Sequence, residues 1–303
     1  MPRRSWATRS AIRSRTPRAR ACTCSSSCSR RSRSFSRHCC RIARFLLAAL
    51  LLVTPPTSAS SARTIVAVGA NESLNWAGYT QGTLEKGITF HSISGEWIVP
   101  KAKQHKKGEA EYSSSWIGIG GSCLDAACTL FDPTLIQAGI EHDVDANGTP
   151  SYYAWWEAIP APLIRVDLAV SAGDHVRVVI SEDAQVPELW TITISNLSTA
   201  AVFSLSAPYT STYGTAEWVI ETPVVITDDG GVQIGPMPDL APVRFDNATV
   251  NGQPAGLIDA ERMLMVDSDL SVIAAPSAPD SDRDGFNDCA YRGICPAPSK
   301  ELR

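Results

Sequence analysis

Beyond residue 62 the chain is a succession of short runs rich in Val, Ile, Thr, Tyr and Trp, broken by Gly, Pro, Asn and Asp. This texture restricts the fold more than any other feature, because β-branched and aromatic residues at strand length, bounded by turn formers, suit pleated sheets. Examples are ITFHSISGEWIVP (88–100), YSSSWIGIG (112–120), TLIQAGIEHDV (134–144), SYYAWWEAI (151–159), GTAEWVIE (214–221) and PVRFDNATV (242–250). The stretches 163–182 and 189–206 read as hairpins, turning at Ala172-Gly173-Asp174 and at Asn196-Leu197-Ser198. No segment sustains a helical period beyond two turns. The prediction is an all-β domain, an antiparallel β-sandwich over residues 63–275, with enough chain for one large core.

The first 62 residues differ in kind. They hold 13 Arg and 5 of the 9 Cys, and no Asp or Glu. The apolar run FLLAALLLV (45–53) follows Arg41 and Arg44 and precedes small residues up to Ala62, the pattern of a basic leader and signal peptide. Nine apolar residues (45–53) are too few to span a bilayer, which needs about 20 in a helix. Cleavage is expected between Ala59 and Ala62, giving a secreted, extracellular product with no membrane attachment. After residue 62 there remain 14 of the 27 Lys and Arg against all 31 Asp and Glu, a net charge of −17. Such a surface repels nucleic acid and anionic membranes, and it suits work at low pH, where carboxylates are neutralised. Export permits disulfides. Cys123, Cys128, Cys289 and Cys295 allow three connectivities, of which the short-range pairs Cys123–Cys128 and Cys289–Cys295 are expected.

From Pro276 the texture turns Pro/Ser/Asp-rich, predicting a C-terminal tail over 276–303. Within it, Asp280, Asp282, Asp284 and Asp288 surround Gly285, with oxygen ligands at alternate positions as a hard cation requires. A structural calcium is one expectation there, and a solvated acidic linker closed by Cys289–Cys295 is the other.

Successive strand residues point to opposite faces. In 135–141, Leu135, Gln137, Gly139 and Glu141 share a face; in 216–221, Glu217, Val219 and Glu221 do; in 153–157, Tyr153, Trp155 and Glu157 do. Three strands thus each place a carboxylate beside Gln or aromatics, the lining of a groove for an extended peptide or glycan.

The motifs NWAG (75–78), WIGIGG (116–121), IQAG (136–139), YAWWE (153–157) and AEWVIE (216–221) occur in that order. Together they resemble the glutamic peptidases (eqolisins), over roughly residues 74–250. The resemblance implies a jelly-roll, concanavalin-like sandwich and a monomeric acid endopeptidase acting on proteins or peptides without a catalytic cofactor. It makes Gln137 and Glu217 the catalytic pair and places Trp116, Trp155 and Glu157 along the substrate groove. Glu221, on the same strand face, is the rival for the catalytic acid or a further groove residue. Glu217 is expected to act as general base and then acid on one bound water. Gln137, on what should be a neighbouring strand, would hold that water and donate to the oxyanion. Fungal members carry Asp where Gly120 stands. Many members also carry a long pro-segment, whereas about a dozen residues separate the expected cleavage region from Asn75.

Two other classes compete. A glycoside hydrolase would pair two carboxylates, such as Glu141 and Glu217, and leave Gln137 without a role. A non-catalytic carbohydrate-binding sandwich would use its Trp residues for stacking. No Gly-x-Ser-x-Gly motif supports a serine hydrolase.

Overall fold

A computed structural model describes residues 65–125, 127–226, 232–299 and 302; the leader and its cleavage region lie outside the described residues. Fourteen strands matter here. They are β1 (Trp76–Gly82), β2 (Ser92–Ile98), β3 (Ser114–Gly120), β4 (Leu135–Val144), β5 (Pro150–Ala158), β6 (Ile164–Arg165) and β7 (His175–Glu182). The remainder are β8 (Leu189–Asn196), β9 (Ala201–Pro208), β10 (Thr215–Glu221), β11 (Val243–Val250), β12 (Arg262–Val266), β13 (Val272–Pro276) and β14 (Phe286–Ala290).

They form two antiparallel sheets. The front sheet runs β6-β5-β4-β3-β10-β1. The back sheet runs β9-β8-β7-β2-β11-β14-β13, and β12 pairs with both β13 and β1, joining the two. The expected β-sandwich is what forms.

The core between the sheets follows strand alternation. From the front come Ile117, Ile119, Ile136, Ala138, Ile140, Ala216, Trp218 and Ile220; from the back come Ile93, Trp97, Val176, Val178, Ile180, Ile192, Ile194 and Phe245, all buried. Burying each large side chain is worth roughly 1.5–3 kcal/mol against leaving it exposed. Trp218 shows how the layers lock: its Nε1 donates to the Ser94 carbonyl at 2.9 Å, and a Cβ on Gly95 would sit 2.9 Å from its ring. The outward face of β8 and β9 carries the hydroxyl pairs Thr191–Ser206 and Thr193–Ser204, each at 2.9 Å.

Two expectations change. The stretch 163–182 is no hairpin: β6 pairs with β5 in the front sheet, while β7 pairs with β2 and β8 in the back. The segment between them crosses layers, burying Val166 and Leu168 as it does so. The acidic stretch after Pro276 is built into the sandwich, since β14 lies between β11 and β13 and Phe286 stacks on Phe245 at 5.0 Å. A five-residue strand inside an Asp-rich segment carries too little periodicity to stand out in sequence. The disulfides are Cys123–Cys128 and Cys289–Cys295, as expected.

Candidate active site

On the outer face of the front sheet, pairing aligns five residues in one row across five strands. Thr80 of β1 stands opposite Glu217, Glu217 opposite Gly118, Gly118 opposite Gln137, and Gln137 opposite Glu157. Residues in register share a face, so Glu217 and Gln137 point the same way. They are not on neighbouring strands: β3 lies between β10 and β4. Two strand spacings put their Cα atoms about 9–10 Å apart.

The residue in the gap is a glycine. A Cβ on Gly118 would lie 3.0 Å from Trp116 and Leu135 side-chain carbons and 3.1 Å from the Gln137 Cβ. Any side chain there would enter the space that the two functional groups face. A bare strand glycine between two polar side chains marks a place for something else to approach.

The electrostatics agree. Both carboxyl oxygens of Glu217 are buried without a hydrogen-bond partner. Thr215, two residues back on the same face, is near enough to pull its pKa down but not to satisfy it in hydrogen-bond geometry. Burial dominates and holds this carboxyl well above the ordinary range, with a further push from the charge of Asp132. Gln137 donates through Nε2 to Glu157 Oε2 at 2.8 Å, which fixes the amide's orientation. Its Oε1 is buried without a partner. The amide retains a second N–H as a donor.

Below this row the face becomes apolar. Trp116 and Trp155 are fully buried and pack in a second cluster with Ile65, Trp76, Leu135, Val219 and Met263; Trp76 meets Trp116 edge-on at 4.8 Å. Glu221 sits two rows from Glu217. Its carboxylate takes the Trp116 Nε1 at 2.8 Å and the Asn75 Nδ2 at 3.4 Å, so it braces the aromatic floor. Glu141 faces Ser114, four residues along β4 from Gln137. Its Cα is therefore about 16 Å from that of Glu217, and side chains rising parallel from one face keep their carboxyls at a similar separation, beyond the ~5–9.5 Å of a glycosidase pair.

Sequence reasoning missed Thr80, Gly118 and Asp132. Register alone identifies Thr80, and the glycine at the centre of WIGIG was a readable signal. Asp132, in the loop before β4, has none. Gly120 has φ +95°, and a Cβ there would fall 1.9 Å from the Thr134 carbonyl oxygen. No side chain fits this backbone.

Of the acidic residues in the C-terminal segment, Asp280 and Asp284 come together with Asp246 of β11, one oxygen of each within 4.8 Å of the others. It is the only such group among the described residues. Asp282 and Asp288 lie outside it. Asp288 is wholly buried opposite Val243 and Pro276, neither oxygen has a partner, and burial drives its pKa well above the usual carboxylate range.

Residues 74–283 match the family model for the Peptidase A4 family. Among solved structures, the chain is similar to scytalido-glutamic peptidase with a transition state analog inhibitor, at 19% identity and TM-score 0.52 over 71% of this chain and 98% of that one. A second structure of that peptidase, with a peptide-based analog, gives 21% identity and TM-score 0.50 over the same shares. Aspergilloglutamic peptidase from Aspergillus niger gives 25% identity and TM-score 0.45 over 60% of this chain and 99% of that one. No curated protein sequence matches significantly. The first two structural likenesses establish a shared sandwich, and the family match spans well over half of the sequence: the chain is a peptidase of the Peptidase A4, or glutamic peptidase (eqolisin), family.

Proposed function

We propose that this peptidase is secreted as a monomer and cleaves internal bonds of proteins at acid pH, with Glu217 and Gln137 acting across Gly118. One observation carries the reading: an unpartnered, buried carboxyl and an unpartnered amide oxygen flank a bare glycine on one face. The leader, the disulfides and the net −17 charge after residue 62 support export and leave nucleic acid an unsuitable partner.

The raised pKa of Glu217 decides its resting state. At acid pH it carries a proton, so, in place of the base-first order expected from the sequence, it meets the substrate as an acid with its second oxygen unbonded. An extended peptide lies over Gly118 with its scissile carbonyl between the pair. Gln137 Oε1 and the second Glu217 oxygen hold a water. As that water adds to the carbonyl carbon, Glu217 gives its proton to the carbonyl oxygen and takes one from the water. The product is a neutral gem-diol and a carboxyl that is protonated again. The same carboxyl then protonates the leaving nitrogen and recovers a proton from a diol hydroxyl as the C–N bond breaks. The second N–H of Gln137 stabilises the developing oxyanion; losing one such donor costs on the order of 10²–10³ in rate. A catalyst that needs its proton loses activity as pH rises through its pKa, whereas an ionised base would gain it.

The test is digestion of casein or a denatured protein at pH 2–5 with pepstatin present. Hydrolysis should persist with the aspartic peptidase inhibitor and be lost in both Glu217→Gln and Gln137→Ala. Full activity in either variant removes that residue from the mechanism, and an activity that climbs with pH through the Glu217 titration removes the acid-first order.

The reaction uses no metal. For the calcium expected in the C-terminal segment we propose the Asp246, Asp280 and Asp284 carboxylates, all hard oxygen donors. Arg244 already sits 2.8 Å from Asp246 and offsets part of that charge.

A further inference from the structure

The geometry points to Asp132 as the residue that sets the spacing between Gln137 and Glu217, one carboxylate tying together the entrances of the two strands that carry them. This rests on the proposed roles of that pair.

Strand β3 separates β4 from β10 but ends at Gly120, opposite Leu135. Just beyond that end no strand of the described residues lies between β4 and β10. Asp132, 3% exposed, stands at this place. Its Oδ1 accepts the Thr134 backbone N–H at 3.0 Å and the Thr134 hydroxyl at 2.9 Å. Its Oδ2 accepts the Gly214 N–H at 3.0 Å. The Thr212 hydroxyl also donates to Oδ1, and the Thr212 N–H donates to Thr134 Oγ1 at 3.0 Å.

Thr134 lies three residues before Gln137, and Gly214 three residues before Glu217. The two oxygens of one carboxylate therefore hold the two strands at equal depth, about 10 Å along the strand from each functional residue. The fit at Gly214 is tight: a Cβ there would sit 2.6 Å from Asp132 Oδ2. The loop is itself anchored, by Asp132 N–H to Ser122 O at 2.9 Å, by Ser122 N–H to Thr215 Oγ1 at 3.3 Å and by the Cys123–Cys128 bridge.

Asp132 also acts through charge. It is the one neighbouring carboxylate whose field adds to the upward push on Glu217, and it pushes the Tyr209 hydroxyl up as well. The other groups around Glu217 are Thr80 from β1, Gly118 from β3, Gln137 from β4 with Glu157 one strand beyond, and Glu221 on its own strand, bonded to Trp116. Tyr209 completes the surroundings, its hydroxyl donating to Ile159 O and accepting from Leu135 N–H.

Two substitutions separate the effects. Asp132→Asn keeps the shape, removes the charge and sets an NH₂ against one of the strand donors. Asp132→Glu keeps the charge and adds one methylene. With peptide substrates, both should lower kcat about 10²-fold, the cost of roughly 1 Å of misplacement, with KM within about threefold. Only Asp132→Asn should move the high-pH limb of the kcat profile to lower pH. ¹³C titration of the Glu217 carboxyl reads the same displacement without any turnover, so it stands even if the peptidase proposal fails. A kcat within twofold of the parent in Asp132→Asn overturns the inference. So does a fall in kcat with both the limb and the Glu217 titration unmoved, because a merely structural loop contact would give that. If Asp132→Asn does not fold, Asp132→Glu decides alone: unchanged kcat, or a fall in kcat matched by an equal or larger rise in KM, refutes the spacing role, and a fall in kcat with KM within about threefold supports it.

Discussion

Replacing Gly118 by alanine separates folding from chemistry at one atom. Gly118 is absent from the left-handed backbone positions, so alanine is conformationally acceptable. A strand glycine gives up roughly 0.5–1 kcal/mol of stability relative to alanine through its unfolded-state freedom. Against that gain, the new methyl carbon would meet three side-chain carbons at 3.0–3.1 Å, so each must yield a few tenths of an ångström. Overpacking of this kind costs about 1 kcal/mol at its mild end. The terms nearly cancel, and the melting temperature should stay within about 3 °C of the parent, given ~2–4 °C per kcal/mol for a domain of this size. Activity should not survive. The methyl projects into the space between the Glu217 carboxyl and the Gln137 amide and competes with a water that needs about 30 Å³. Displacing reactants by about 1 Å costs about 10²-fold, so kcat/KM on a quenched fluorescent peptide should fall at least that far. Gly118→Val should abolish turnover. An alanine variant that melts with the parent and retains full kcat/KM refutes the idea that chemistry takes place above this glycine.

Asp288 gives a pH signature in stability. Its folded pKa is raised by burial above the unfolded value near ~3.9, so its stabilising protonated form is complete below that value and lost as pH climbs towards the folded pKa. In that window the parent should lose up to about 1.4 kcal/mol per pH unit from this group. Asp288→Asn should match the parent in thermal unfolding at pH 3 and exceed it at pH 7; a variant less stable at pH 7 would show that the charge is accommodated after all. Calcium at a hundred times its dissociation constant should raise stability by about 2.7 kcal/mol, or about 5–10 °C in melting temperature. Asp280→Asn should abolish that rise, and an unchanged parent melting curve removes calcium from the Asp246–Asp280–Asp284 group.

Much of the site was readable because a strand's period of two is unambiguous. Gln137, Glu157 and Glu217 could be assigned to faces from their own neighbours, and the observed register puts all three on one face. Sequence could not give strand order. Whether β4 touches β10 depends on where β3 inserts, a non-local choice that no local pattern encodes, and so Gly118 went unnoticed as the gap. Burial was hidden for the same reason: Glu221 and Glu217 look equivalent along β10, yet one braces Trp116 and the other has neither oxygen satisfied. Asp246 was missed because its partners Asp280 and Asp284 are more than thirty residues away. The crossing from β6 to β7 was misread because Gly173 punctuates a layer change as readily as a hairpin.

The place of β14 bears on how the molecule is made. Among the described residues it comes after every other strand in sequence, yet it fills an interior position of the back sheet, with β11 on one side and β13 on the other. A chain emerging amino end first therefore holds two open edges apart until β14 arrives. The back sheet closes only once β14 has been made, and a chain stopped short of Phe286 would present two sticky borders instead of a closed sheet.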